Sequence, residues 1–89
     1  MKAIVTVIGK DTVGIIAAVC ALLSEQNVNV LDISQTVMQD YFTMIMMVDL
    51  TECSVSFADL AASLEQSGAE RGLSIRIMRE DIFNAMHKI

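Results

Sequence analysis

Residues 2–8 read as an extended segment whose side chains alternate between two faces, Ala3, Val5 and Val7 on one and Ile4, Thr6 and Ile8 on the other. That is the period of a β-strand. Gly9-Lys10-Asp11-Thr12 breaks the alternation and reads as a turn into a helix, with Thr12 or Asp11 placed to cap it by accepting from a first-turn amide. The period then changes: Ile15, Ile16, Val19, Leu22 and Leu23 fall on one helical face, and Asn27 ends it. Residues 28–38 form a second extended run, β-branched at Val28, Val30, Ile33, Thr36 and Val37. Gln39-Asp40 predicts a tight reversal into a third strand at 41–50, although Gln-Asp is not the favoured hairpin pair. A loop at 51–56 ends on Ser56 as a helix cap. Phe57, Leu60, Ala61 and Leu64 then supply a second helical face, with Gly68 near its end. Leu73, Ile75 and Ile77 alternate with Ser74, Arg76 and Met78 as a fourth strand. Asp81 caps a short last helix with Ile82, Phe83, Met86 and Ile89 on one side.

The order β-α-β-β-α-β, with right-handed crossovers, predicts an α+β, ferredoxin-like two-layer sandwich over residues 1–89 as a single domain. Two helices cover one face of a four-stranded antiparallel sheet, and the second and fourth strands lie at its edges. A faint echo between Ala21-Leu22-Leu23-Ser24-Glu25-Gln26 and Ala62-Ser63-Leu64-Glu65-Gln66 agrees with a duplicated split βαβ unit. A sheet covered on one face should be polar on the other. Here the third strand is apolar on both, with Phe42, Met44, Met46, Val48 and Leu50 backed by Ile45 and Met47. A contiguous apolar face marks an interaction site, so a homodimer or higher homo-oligomer is expected unless the last helical turn folds over it.

Composition sharpens this. At 54% hydrophobic, 89 residues carry more apolar side chain than so small a core easily hides. The longest apolar run, 13–23, falls well short of the roughly 20 residues that span a bilayer, so no membrane association is expected. The start, Met1-Lys2 followed by a short alternating stretch, does not read as an export signal, and a cytoplasmic location is the expectation. Eleven acidic against six basic residues argue against nucleic acid as a partner.

The most informative stretch is Ile8-Gly9-Lys10-Asp11-Thr12-Val13-Gly14-Ile15-Ile16, joining a strand to a helix. Gly14 falls in the first helical turn, where glycine is a poor helix former. A missing side chain there either lets a ligand carboxylate approach the first-turn amides or lets the helix start pack closely on a strand. The chemistry alone leaves both open. Gly-Lys-Asp-x-x-Gly-Ile after the first strand, followed by Asn-Val-Asn-Val opening the second, resembles the ACT domain, a small-molecule-binding regulatory module. The resemblance spans the chain and is closest to small bacterial proteins made of one ACT domain, through residues 7–11, 32–37 and 41–44. It implies side-by-side pairing of two copies through edge strands and helices, with an amino acid bound at the seam. One wall would be Asp11, Gly14 and Ile15; the other would be Asn29, Val30 and Leu31 of the neighbour. Asp11 would then meet the ligand ammonium, the amides near Gly14 and Ile15 its carboxylate, and the Asn29 amide both. Many members have proline before the glycine, where Val13 stands here.

Asp32, Ser34 and Gln35 interrupt an otherwise apolar strand. They either line the same seam or discourage wrong pairing at an edge, the reading preferred for Ser34. Other chemistry finds little support. His87 is the lone histidine, near the terminus beside Lys88, and reads as a solvated residue. Cys20 reads as a small buried hydrophobe, and Cys53 beside Glu52 lacks the positive surroundings that activate a thiol. No metal site, cofactor or catalytic pair is expected. The turn lacks the Arg of an acylphosphatase and the Cys-x-x-Cys of a copper chaperone, and the sheet lacks the stacking aromatics of an RNA-recognition motif. The expectation is a non-catalytic, amino-acid-binding regulatory homodimer. The alternative is a constitutive interaction module that docks a partner protein through its apolar sheet face.

Overall fold

The computed structural model describes residues 1–10 and 14–86. Alternating apolar residues make β1 (Lys2–Lys10), β2 (Asn29–Met38), β3 (Tyr41–Asp49) and β4 (Ser74–Arg79). The 3.6-residue period makes α1 (Ile15–Glu25) and α2 (Phe57–Arg71), and α3 (Glu80–Met86) follows β4 directly. The sheet order is β2-β3-β1-β4, antiparallel throughout, with β2 and β4 at the edges. This is the ferredoxin-like arrangement that the element order predicts.

The core lies between the sheet and the two long helices. Val5 and Val7 of β1, Met44, Met46 and Val48 of β3, Leu23 of α1 and Leu60 and Leu64 of α2 are fully enclosed. Met44 and Met46 suit this layer because the unbranched thioether fills the uneven space left between crossing helices. No charged or polar residue is buried among the described residues.

The ends of the elements are set by local chemistry. Ser56 caps α2, its Oγ accepting from the Asp59 amide at 3.1 Å. The helix runs past Gly68 and ends at Arg71, and Gly72, with φ 71°, turns the chain out of it. Gly68 thus lies near the helix end, as expected, without being its stop. Gly68 is a buried interior position where α2 approaches β4. Helix α3 begins one residue before Asp81, at Glu80, and Asp81 still serves its first turn, accepting from the Ile82 amide at 2.9 Å and from Arg79 at 2.8 Å. The hairpin turns on Gln39 and Asp40, with Gln39 at positive φ (53°), as both tight hairpin turn types require at the first central residue.

The helix-free face is more mixed than the alternation suggests. Register places Ile4, Ile8, Ile45, Met47 and Met78 there, interspersed with Thr6, Thr43, Ser34 and Thr36. Ile4, between Met47 and Met78, is buried, and α3 packs against β1 and β4 beside it. Ile8 and Ile45 remain about half exposed. A second share of the apolar excess lies on the other side of β2, where Ile33 and Val37 are exposed beyond the cover of α1. The two edges differ in guard. β2 is ten residues long and carries one charge, Asp32; β4 has six residues and two exposed arginines, Arg76 and Arg79.

Candidate functional site

Gly14 is the residue before α1 and not part of its first turn. It adopts φ 85° and ψ 6°, the left-handed region, and its carbonyl accepts the first intrahelical bond from Ala18 at 2.9 Å. A Cβ built on Gly14 would meet nothing within 4 Å. Close packing against a strand is therefore not why glycine stands here; the positive φ is. Gly14 has no side chain with which to bond the first-turn amides, and no acidic residue occupies that turn. Ile15 sends its side chain into the core, so only its backbone amide faces outward from the helix start. Asp11, and with it the expected Asp11 or Thr12 cap, lies outside the described residues, as does His87.

The other expected wall opens β2. Asn29 is exposed opposite Asp49, and Val30 is half-buried opposite Val48. Leu31 is left without a partner, because Asp32 pairs with Met47: the strand bulges there. Asp32 supports the bulge by accepting the Ile33 amide at 2.9 Å. Register turns Asp32 and Ser34 to the helix-free face and Gln35 to the helix side.

The two walls do not meet within one chain. Gly14 and Ile15 follow the Lys10 end of β1, which is in register with Tyr41 and, through it, Met38. Asn29 stands at the opposite end, in register with Asp49 and Lys2. Nine strand steps, roughly 30 Å, separate Asn29 from Met38.

Beside Asn29 lies a cleft of about 480 Å³ that the strand-and-helix pattern does not reveal, lined by Ser24, Asn27, Val28, Asn29 and Glu52. Its walls are tied together. Asn27, at φ 59°, donates from Nδ2 to Ser54 Oγ at 3.0 Å, and the Ser54 amide donates to the Gln26 carbonyl at 2.9 Å. These bonds hold the loop bearing Glu52 against the end of α1. Only Asn27 could have been suspected from sequence, through its nearness to Asn29; Glu52 is brought in by the fold. A second cleft, near Arg79, has part of its charge already committed to the Arg79–Asp81 pair.

Among the described residues no cluster of three or more His, Cys, Asp or Glu is placed to hold a metal. Cys20 and Cys53 are free, half-buried and packed against the core. Among the described residues one carboxyl has a shifted acidity: Asp49, held below its ordinary 3.8 by the Thr51 hydroxyl at 2.6 Å and the Thr51 amide at 2.9 Å.

A ferredoxin-like sheet with a glycine turn before its first helix and asparagine opening its second strand defines a class. Residues 2–78 match the family model described as ACT domain, and the chain belongs to that family. A UPF0237 protein of Clostridium acetobutylicum is 55% identical over 89 residues, the full length of both chains. Among solved structures, an ACT domain protein from Streptococcus pneumoniae superposes with a TM-score of 0.83 and 41% identity, covering 98% of each chain. The regulatory subunit of aspartate kinase from Thermus thermophilus, in its ligand-free form, gives a TM-score of 0.65 and 26% identity over 86% of this chain and 50% of that one. Among the described residues, no helix is long and apolar enough to cross a membrane.

Proposed function

We propose that this single-domain protein is a non-catalytic, cytoplasmic regulator that works as a homodimer and binds an amino acid at the seam between two copies. Asp11 and the amides around Gly14 and Ile15 of one copy face Asn29, Val30 and Leu31 of the other. The observation that carries this reading is the separation of the two walls to opposite ends of the sheet. A two-fold axis normal to the sheet, pairing β2 antiparallel with its copy, turns the Asn29 end of one protomer onto the Gly14 end of the next. The β2 edge suits such pairing: it is long, carries one charge and exposes Ile33 and Val37. Similarity to a regulatory subunit of aspartate kinase supports a regulatory role.

The reading is tested by thermal unfolding against a panel of amino acids. A ligand at a hundredfold excess over its dissociation constant stabilises the native state by about 2.7 kcal/mol. Asn29→Ala loses that shift while remaining folded. A panel that raises the melting temperature nowhere overturns it. The competing reading, constitutive docking of a partner protein, draws on the half-exposed Ile8 and Ile45 of the helix-free face, and it predicts no response to the panel.

A further inference from the structure

The cleft beside Asn29 has a chemical bias that the seam residues alone do not account for. It is lined by one carboxylate, one hydroxyl and two amides, with Val28 as the apolar residue. Glu52 forms no ion pair or hydrogen bond among the described residues, so its charge is uncommitted. The cleft also lies at the carboxyl end of α1, where backbone carbonyls concentrate partial negative charge. The carboxylate and the helix end favour a cation, and a single carboxylate with amide oxygens is too sparse a set for calcium, which takes six to eight oxygens. An ammonium group fits instead, since it offers three donors and carries one charge.

We infer that Glu52 is a ligand-binding residue that receives the ammonium group of a zwitterionic amino acid across the seam. The inference rests on the paired arrangement proposed above and extends it. In that pairing the amino end of one α1, which favours a carboxylate, faces the carboxyl end of the other, which favours an ammonium. The two ends of a zwitterion then meet two ends of opposite polarity. The Asn29 side-chain oxygen accepts one of the three ammonium protons and Glu52 accepts another. Asn27 has the different task of fixing the Glu52 loop through Ser54.

The test is calorimetric titration of the full chain with each amino acid and with the matching 2-hydroxy acid, in which a hydroxyl replaces the ammonium. Wild type prefers the amino acid. Glu52→Gln, which keeps the shape and removes the charge, weakens amino-acid binding by about tenfold or more, the scale of one hydrogen bond to a charged group. It leaves hydroxy-acid binding within about twofold, a selectivity that general damage to the fold would not produce. If Glu52→Gln binds amino acids as wild type does, the Glu52 assignment fails while the seam stands. If both compounds weaken equally, the residue acts through structure and the assignment also fails. If wild type binds no amino acid, the seam and the assignment fall together.

Discussion

A Cβ placed on Gly68 would lie 2.8 Å from the carbonyl oxygen of Leu73 and 3.0 Å from Cγ1 of Ile75. Helix α2 is thus seated on β4 at a distance that only the smallest residue permits. The Leu73 amide meanwhile donates to the Gly68 carbonyl at 2.7 Å, so the contact is fixed from both sides. Gly68→Ala must push the helix away or displace backbone. Such overpacking costs about 1–3 kcal/mol, seen as a lower denaturation midpoint with an unchanged slope.

Gly14→Ala should also destabilise, by another mechanism. Space is available, but φ 85° places an alanine in the left-handed region at a cost of about 1–2 kcal/mol. Asparagine tolerates that region better, so Gly14→Asn should lose less than Gly14→Ala in the same denaturant titration. At Gly68, where contact is the obstacle, asparagine should be worse than alanine.

Met44 and Ile45 are neighbours on opposite faces of β3. Met44 is fully enclosed; Ile45 is 49% exposed. Met44→Ala should cost about 2–5 kcal/mol through lost burial and the cavity left behind. Ile45→Ala should cost well under half as much, measured by thermal unfolding of the two variants side by side.

Asp49 gives the protein an acid-sensitive element. Its carboxyl is held below the ordinary range chiefly by the Thr51 hydroxyl, then by the Thr51 amide. A group whose folded-state acidity constant is depressed contributes stability that is fully present above its unfolded value and lost as pH falls through the folded one. Wild type should therefore lose a stabilising increment on acidification below about pH 4, whereas Asp49→Asn, lacking the titrating group, should show a flatter profile there. Unfolding midpoints across that interval check the difference.

Much of the fold is legible because side-chain period and sheet face are the same information. Val5 and Val7, or Met44 and Met46, share a face by alternation, and register repeats it; that this face rather than the one with Ile45 meets the helices is decided by the fold. The helix stop at Gly72 is hard to tell from Gly68, since both are glycines late in an apolar pattern. What separates them is the nearness of Leu73, a contact made by the fold. The Leu31 bulge leaves no mark in a run of β-branched residues. The site divides the same way. Gly14 and Asn29 stand out as residues in a pattern, but their placement at opposite ends of the sheet appears only once β1 and β2 are set in order. Glu52 reaches the cleft through the Asn27–Ser54 bond, which links residues 27 positions apart.

In the proposed pairing, the unequal guarding of β2 and β4 gives the sheet a direction of growth. Arg76 and Arg79 close one border by charge, and the ten residues of β2 leave the other open. Joining two open borders consumes both and leaves an arginine-fringed strand at each outer limit. Such an arrangement terminates itself: strand addition that could otherwise run on into a filament stops after a single step.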